Sequence, residues 1–150
     1  MMEMNELQEF GIEGQAENLK AAYDFLYSVR NAERRVKNIE KRIMIHEDAA
    51  DEPGEDVQME TLRHELMEAE HEETVIRKDV CDTVCMLSDV NEQAILMYRY
   101  IDGMSWEHIG DVMKMSRGAA RSFHDSAVIK LKDILDGLHV TESGMDGKNS

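Results

Sequence analysis

Residue types that could support covalent or metal chemistry are sparse in this sequence, and their spacing suits neither. Cys81 and Cys85 lie four residues apart in a helical pattern, but His64 and His71 are too far along the same helix to complete a tetrahedral site. His124 has no nucleophile or acid at a spacing that would make it catalytic. Since a glycine-rich phosphate loop is also absent, we expect no enzyme, no metal and no cofactor. Both thiols are expected to be buried or half-buried structural groups.

A cluster of basic and hydroxyl side chains offers non-covalent chemistry instead. Nine consecutive residues contain Lys114, Ser116, Arg117, Arg121 and Ser122. Arginine can hydrogen-bond two acceptors of one guanine, which is worth about 1–3 kcal/mol of discrimination between bases. Lysine and serine can contact phosphate oxygens. These residue types therefore suit contact with a nucleic acid, provided that the surrounding elements present them together.

Three N-cap signals predict three short helices around this cluster, over residues 89–135. The N-cap residues are Asp89, with Glu92 in the capping-box position, Ser105 and Ser116. The first helix ends at Asp102-Gly103, and the third begins at Arg117 and ends near Leu135. A connection of about three residues joins the second helix to the third, whose first turn carries basic and small residues. This arrangement is a helix-turn-helix, whose second helix enters the major groove of DNA.

Two apolar stripes upstream predict two long helices, one of about 30 residues from Gln15 and one that begins near Met59. The stripe residues are Leu19, Ala22, Leu26, Val29, Val36, Ile39 and Ile43, then Met59, Leu62, Leu66, Ala69, Ile76, Val80, Val84 and Leu87. Each stripe skips one position, Glu33 in the first and Glu73 in the second. The acidic segment 46–56 holds the only Pro-Gly pair, where the chain should reverse. We expect an antiparallel hairpin that buries too little apolar area to stand alone, and so pairs with a second copy or a partner.

The opposite side of the first helix carries a basic cluster. Its residues are Arg30, Arg34, Arg35, Lys37, Lys41 and Arg42. We interpret it as a solvated face whose charges pair with acidic residues of the neighbouring helix, and a DNA contact is the less favoured alternative.

The net charge of −15 argues against a protein that coats nucleic acid regardless of sequence, because phosphate affinity comes mainly from lysine and arginine. Residues 1–90 hold 10 Lys and Arg against 23 Asp and Glu, whereas residues 91–137 hold 6 against 7. The acidic excess therefore lies in the hairpin, and the helix-turn-helix region is almost neutral.

These patterns predict an all-α protein, with a long antiparallel helical hairpin followed by a three-helix helix-turn-helix module. The predicted division is a flexible lead-in (1–14), an acidic hairpin for oligomerisation or partner binding (15–88), a DNA-binding domain (89–137) and a disordered tail (138–150). The sequence has no apolar run long enough to cross a membrane and no basic-then-apolar start. We therefore expect a cytoplasmic protein with no membrane partner.

Three strings in the helix-turn-helix region carry a family resemblance. Residues 98–110 read YRYIDGMSWEHIG, residues 113–117 read MKMSR, and residues 123–131 read FHDSAVIKL. In order, they resemble the "lRYidg.sweeIa" run, the "MgyS" turn and the "lH..Al.kL" ending of sigma-70 region 4-like phage regulators. The acidic hairpin that leads into the module is similar to small phage-borne members of that group, the relatives of the RinA and ArpU late-gene activators. The resemblance covers roughly residues 15–135.

The resemblance implies a role for residues around the start of the third helix. It assigns DNA base contacts to Arg117, Gly118, Arg121 and Ser122, and phosphate contacts to Ser105, Lys114, Ser116 and His124. Glycine at position 118 would leave room for close approach to DNA. Trp106 is expected to pack in the core, because it falls on the apolar face of its helix.

Two positions depart from the family pattern. Lys114 stands where the family turn usually has a glycine in the left-handed region, at a cost on the order of 1 kcal/mol. Residues 118–120 are Gly-Ala-Ala, where related recognition helices often have Gly-Thr-Val, so a hydroxyl that could contact DNA is missing. We expect the isolated module to bind DNA with low affinity.

The favoured function is a sequence-specific transcription regulator of the sigma-like or phage activator type. Its expected partners are double-stranded promoter DNA, RNA polymerase and a second copy held through the hairpin. The alternative is an acidic protein-interaction module, or a DNA-mimic inhibitor, whose helix-turn-helix does not bind DNA.

Overall fold

The described part of the chain consists of five α-helices and contains no strand. This computed structural model describes residues 16–49 and 57–148, with side chains for 19–49 and 57–138. The helices are α1 (Ala16–Ala49), α2 (Val57–Val84), α3 (Val90–Leu96), α4 (Trp106–Met113) and α5 (Arg117–Lys148), and a π-helical turn, Met97–Ile101, continues α3. The predicted all-α fold is confirmed. The predicted lead-in and most of the predicted reversal lie outside the described residues.

α1 and α2 form the predicted antiparallel hairpin. Ion pairs join the two helices in opposite chain order, Arg35 with Glu72 and Arg42 with Glu65. The apolar stripe of α1 is buried at every predicted position from Leu19 to Ile39. Since these ion pairs are exposed, each contributes at most about 1 kcal/mol, and apolar burial is the main attraction between the helices. For Arg35 and Arg42, the interpretation that the basic cluster pairs with acidic residues of the neighbouring helix is confirmed.

The two glutamates that interrupt the apolar stripes meet inside the hairpin. Arg77 Nη2 donates to Glu33 Oε1 at 2.6 Å and to Glu73 Oε1 at 3.2 Å, and Arg30 Nη1 donates to Glu33 Oε2 at 2.8 Å. We call Arg30, Glu33, Glu73 and Arg77 the central ion cluster. Burial disfavours the charge on Arg77, but hydrogen bonds to Glu33 and Glu73 outweigh it and raise the pKa of Arg77. The interruptions in the stripes are therefore occupied by paired charges.

The central ion cluster also holds the turn that leads into α4. Arg77 Nη1 donates to the carbonyl oxygen of Ile101 at 3.3 Å. Gly103 has a φ of +71°, and a Cβ added there would lie 1.9 Å from Arg30 Nη2. The positive φ favours glycine at this position, and any side chain there would displace the guanidinium of Arg30.

The largest apolar core is shared between the hairpin and the C-terminal helices. It joins Leu26 of α1 and Val80 of α2 to Leu96, Tyr100 and Leu131. The sequence predicts a hairpin whose apolar face needs a packing partner. At one end of the hairpin, the C-terminal helices of the same chain are that partner. At the other end of the hairpin, Met44, Ile45 and Val57 remain exposed.

The end of α5 differs from the sequence-based expectation. We predicted an end near Leu135 and a disordered tail over 138–150, but the backbone remains helical to Lys148. No proline follows Leu135, and single glycines such as Gly137 weaken a helix by about 1 kcal/mol without ending it.

The cysteines also differ in part from expectation. Cys81 is half-buried as expected, and burial raises the pKa of its thiol. Cys85 was predicted to be buried or half-buried, but it is exposed. Cys85 directly follows the last residue of α2, and its N–H still donates to the carbonyl oxygen of Cys81 at 3.0 Å.

The turn between α4 and α5 has the left-handed residue that the family pattern implied. Lys114 has φ 56° and ψ 47°, and the N–H of Met115 donates to the carbonyl oxygen of Gly110 at 3.0 Å. A Cβ on Gly110 would lie 2.9 Å from the carbonyl oxygen of Met115, so the helices approach closely here. The tight turn therefore depends on a glycine at 110 and tolerates strain at 114.

Replacing Lys114 by glycine should stabilise the protein by about 1 kcal/mol, because glycine adopts the left-handed region without a Cβ clash. Urea unfolding would measure the change in the free energy of unfolding. Lys114→Ala is the control, since it removes the same amine but keeps the Cβ and should give no gain. Equal stability of Lys114→Gly and Lys114→Ala would contradict the prediction.

Candidate nucleic-acid interface

The two hydroxyls at the helix starts act as N-caps and remain at the surface. Ser105 Oγ accepts from the N–H of His108 at 3.1 Å, and Ser116 Oγ accepts from the N–H of Ala119 at 3.0 Å. Both serines are exposed. Because each oxygen acts as an acceptor in its cap, the O–H of each serine can still donate outward. The caps thus fix the helix ends and leave a donor for an external acceptor such as a phosphate oxygen.

The predicted base-contact residues lie together on the first turns of α5. Arg117, Gly118 and Ser122 are exposed, and Arg121 is half-buried. A Cβ on Gly118 would meet no atom within 4 Å, so the protein itself does not require glycine there. This surface is open to a ligand over the whole first turn, and Lys114 lies at its edge in the preceding turn.

Trp106 forms a platform between two arginines. The guanidinium carbon of Arg99 lies 5.0 Å from the centre of the indole ring, and that of Arg121 lies 5.6 Å from it. Arg99 Nη1 also donates to the carbonyl oxygen of Met104 at 2.9 Å. Trp106 packs in the core as predicted, because its half-buried indole lies against the cluster that contains Ile109. The indole also makes cation–π contacts with two arginines, which were not predicted.

Arg99 was missed as a member of this surface by sequence reasoning. It lies 22 residues before Arg121, and the two meet only because α5 packs back across α4. No periodicity within one helix connects them, so the sequence carries no local signal for the arrangement.

His124 does not lie on this surface, and its assignment as a phosphate contact is corrected. Its side chain is 2% exposed. Nε2 lies 2.7 Å from the Tyr100 hydroxyl, and Nδ1 lies 2.9 Å from Asp125 Oδ1. Both ring nitrogens of His124 thus have a hydrogen-bond partner. The ring also packs edge-on to Trp106 at 4.9 Å, so His124 ties the recognition helix to the core.

Glu92 provides a second link between α5 and the rest of the module. Asp89 caps α3 as predicted and accepts from the N–H groups of Asn91 and Glu92. Glu92 was assigned to the capping box, but its side chain is 3% exposed and accepts from Ser126 Oγ at 3.0 Å and Lys130 Nζ at 2.7 Å. The hydrogen bond with Glu92 raises the pKa of Lys130. The glutamate therefore faces α5 instead of its own N-cap.

The C-terminal module matches a known family. Residues 89–133 match the family described as "Sigma-70, region 4", a DNA-binding helix-turn-helix domain that is not an enzyme. The match covers the module from the N-cap of α3 to the middle of α5, and the hairpin lies outside it. A comparison with curated proteins and a comparison with solved structures each give no match.

Two other classes of site are absent from the part of the chain that the structure describes. No group of three or more His, Cys, Asp or Glu residues there could hold a metal ion. None of the described helices is both long and apolar enough to span a membrane.

Replacing Tyr100 by phenylalanine should lower the free energy of unfolding by about 1–3 kcal/mol, because His124 Nε2 would be buried without a partner. Urea unfolding followed by circular dichroism would measure the loss. Tyr98→Phe is the matched control at a half-buried tyrosine of the same π-helical turn, with an expected change under about 0.5 kcal/mol. Similar losses in both variants would show that the Tyr100–His124 hydrogen bond does not stabilise the module.

Proposed function

We propose that this protein is a sequence-specific DNA-binding transcription regulator that inserts the first turns of α5 into the major groove. The observation that carries the proposal is the match to sigma-70 region 4 over residues 89–133. It is supported by the exposure of Arg117, Gly118 and Ser122 on the helix that such modules use for recognition.

The two arginines of this helix are suited to different tasks. Arg117 is exposed and forms no ion pair with any described residue, so its guanidinium can reach a guanine edge. Arg121 is held over the indole of Trp106. A guanidinium that is already positioned loses less side-chain entropy when it binds. We assign base contacts to both arginines, to Ser122, and to the backbone at Gly118, where the missing side chain admits a base edge.

The phosphate contacts of the proposal surround that helix. Lys114 extends from the turn before α5, and the hydroxyls of Ser105 and Ser116 mark the N-termini of α4 and α5. Helix N-termini attract anions through their free N–H groups and the helix dipole. These three residues would position the module on the duplex, and the α5 arginines would select the sequence.

The charge distribution limits how the protein binds DNA. A net charge of −15 repels the phosphate backbone, and the helix-turn-helix region is nearly neutral. Non-specific affinity should therefore be low, which leaves discrimination to a few base contacts. We further propose that the protein acts in the cytoplasm with RNA polymerase as its partner, in the manner of the phage-borne regulators that it resembles.

Loss of both α5 arginines should remove sequence-specific binding. Selection from a random duplex library at low and physiological salt would supply the preferred duplex, and fluorescence anisotropy would give its Kd. For Arg117→Ala/Arg121→Ala we expect Kd to rise at least about tenfold, since each bidentate contact is worth about 1–3 kcal/mol. Arg63→Ala/Lys132→Ala removes equal charge elsewhere and should bind nearly as the wild type does.

A second variant separates binding from folding. Gly118→Ala should stabilise α5 slightly, because alanine is the better helix former, but it should weaken binding because the methyl group occupies the groove. No enriched sequence at either salt concentration would refute the proposed function and favour the acidic protein-interaction module. An enriched sequence that both double variants bind equally would refute the assignment of the arginines.

We also propose that the protein self-associates through the end of the hairpin that lies far from the module. Ile45 is 63% exposed and Val57 78% exposed, and both line one groove there with Ala49 and Leu62. Exposed apolar residues around a groove are typical of association surfaces. A two-fold dimer would bring two recognition helices to paired half-sites.

Sedimentation velocity would test this arrangement. The wild type should sediment as a dimer and Ile45→Lys/Val57→Lys as a monomer, because two lysines cannot be buried in the contact. Met86→Lys/Val90→Lys adds the same charge at exposed apolar residues outside the groove and should remain dimeric. A monomeric wild type would exclude this mode of association.

A further inference from the structure

One face of α1 carries cations that the hairpin itself does not use. The other arginines of this part of α1 have carboxylate partners: Arg30 pairs with Glu33, Arg35 with Glu72 and Arg42 with Glu65. Arg34, Lys37 and Lys41 are exposed and form no ion pair with any described residue. We call these three residues the α1 basic stripe. Three neighbouring cations without an ion-pair partner among the described residues stand out in a chain with 32 Asp and Glu against 17 Lys and Arg.

The α1 basic stripe continues the face of α1 on which the helix-turn-helix module packs. Tyr23 contacts His124 with ring centres 6.1 Å apart, and Tyr27 contacts Tyr100 at 5.3 Å. Arg30 then packs against Gly103. From Tyr23 through Tyr27, Arg30, Arg34 and Lys37 to Lys41, successive residues are three or four positions apart, which keeps them on one side of a helix. The stripe therefore begins one turn beyond the module's edge.

We propose that the α1 basic stripe binds the phosphates of duplex DNA that flanks the sequence read by α5. The proposal rests on the proposed function, because it needs a duplex already held by the module. The positive charge of the stripe indicates the type of ligand, because neighbouring cations in an acidic protein suit a polyanion. The position of the stripe indicates flanking DNA, because a duplex that is bound by the module extends beyond the site that the module contacts. Arg34 and Lys41 are seven residues apart, a rise of about 10 Å, which spans more than one phosphate of a strand.

Exposed carboxylates of α1 lie near the stripe, and Asp48 is on the same face, seven residues beyond Lys41. Glu40 and Asp48 are exposed on the same helix, but neither forms an ion pair with the three cations among the described residues. Glu33, which lies on α1 before the stripe, is already bound by Arg30 and Arg77. Phosphate contacts at the stripe would therefore break no ion pair of the hairpin.

The test compares short and long duplexes. One duplex carries only the selected site, and the other carries the same site with flanking sequence on both sides. Wild-type protein should bind the long duplex on the order of tenfold more tightly at low salt, and the gain should shrink as salt rises. Arg34→Gln/Lys37→Gln/Lys41→Gln should abolish that gain, lower the salt slope by about one per lost contact and leave the short-duplex Kd almost unchanged.

The matched control is Arg63→Gln/Lys78→Gln/Lys132→Gln, which removes the same charge from other exposed or half-exposed residues. It should retain the gain from flanking DNA, and melting curves of both variants should match the wild type.

Equal wild-type affinity for the two duplexes, or the same loss in both triple variants, would overturn the stripe proposal while the proposed function stands. If the wild type selects no sequence at all, the proposed function and the stripe both fail. Arg117→Ala/Arg121→Ala should also lose binding to the short duplex. A loss of base contacts by α5 is therefore distinct from a loss of phosphate contacts by the stripe.

Discussion

The position of the module relative to the hairpin depends on the central ion cluster. Glu33 accepts from an arginine of its own helix and from Arg77 of α2, and Arg77 also reaches the carbonyl oxygen of Ile101. Removing the partner of a fully buried charge costs about 3–5 kcal/mol, and the cost is smaller for half-buried charges such as these. One set of charges thus joins α1, α2 and the turn before α4. These directional contacts add a specific register to the apolar packing of the shared core.

α5 is held against the rest of the protein by two sets of polar contacts. His124 lies between Tyr100 and Asp125, and Glu92 accepts from Ser126 and Lys130. Both contacts lie on the side of α5 that faces the protein. The opposite side at its first turn is left with exposed groups and an open space at Gly118. The helix is therefore oriented by buried polar groups, and the exposed Arg117 forms no ion pair with any described residue.

The elements of the fold could be predicted from local patterns, because helical periodicity and N-caps act over a few residues. The hairpin stripes and the caps at Ser105 and Ser116 follow from such short-range rules, whereas the left-handed Lys114 was expected only from the family resemblance. The contacts of Glu92 and His124 and the pairing of Arg99 with Trp106 could not be predicted. Each joins residues far apart in sequence, and a capping-box position or a histidine in a helix does not reveal what a second helix brings to it.

The shared core has a consequence for how the module can be exchanged between proteins. Leu96, Tyr100 and Leu131 belong to the helix-turn-helix region, yet they are buried against Leu26 and Val80 of the hairpin. A module of this kind is not an interchangeable cassette, since removing it would expose apolar surface on both pieces. The buried residues of the module must change in step with the hairpin, so transplantation of the whole module requires a matching hairpin, whereas the exposed residues on the outer face of α5 can change without disturbing this core.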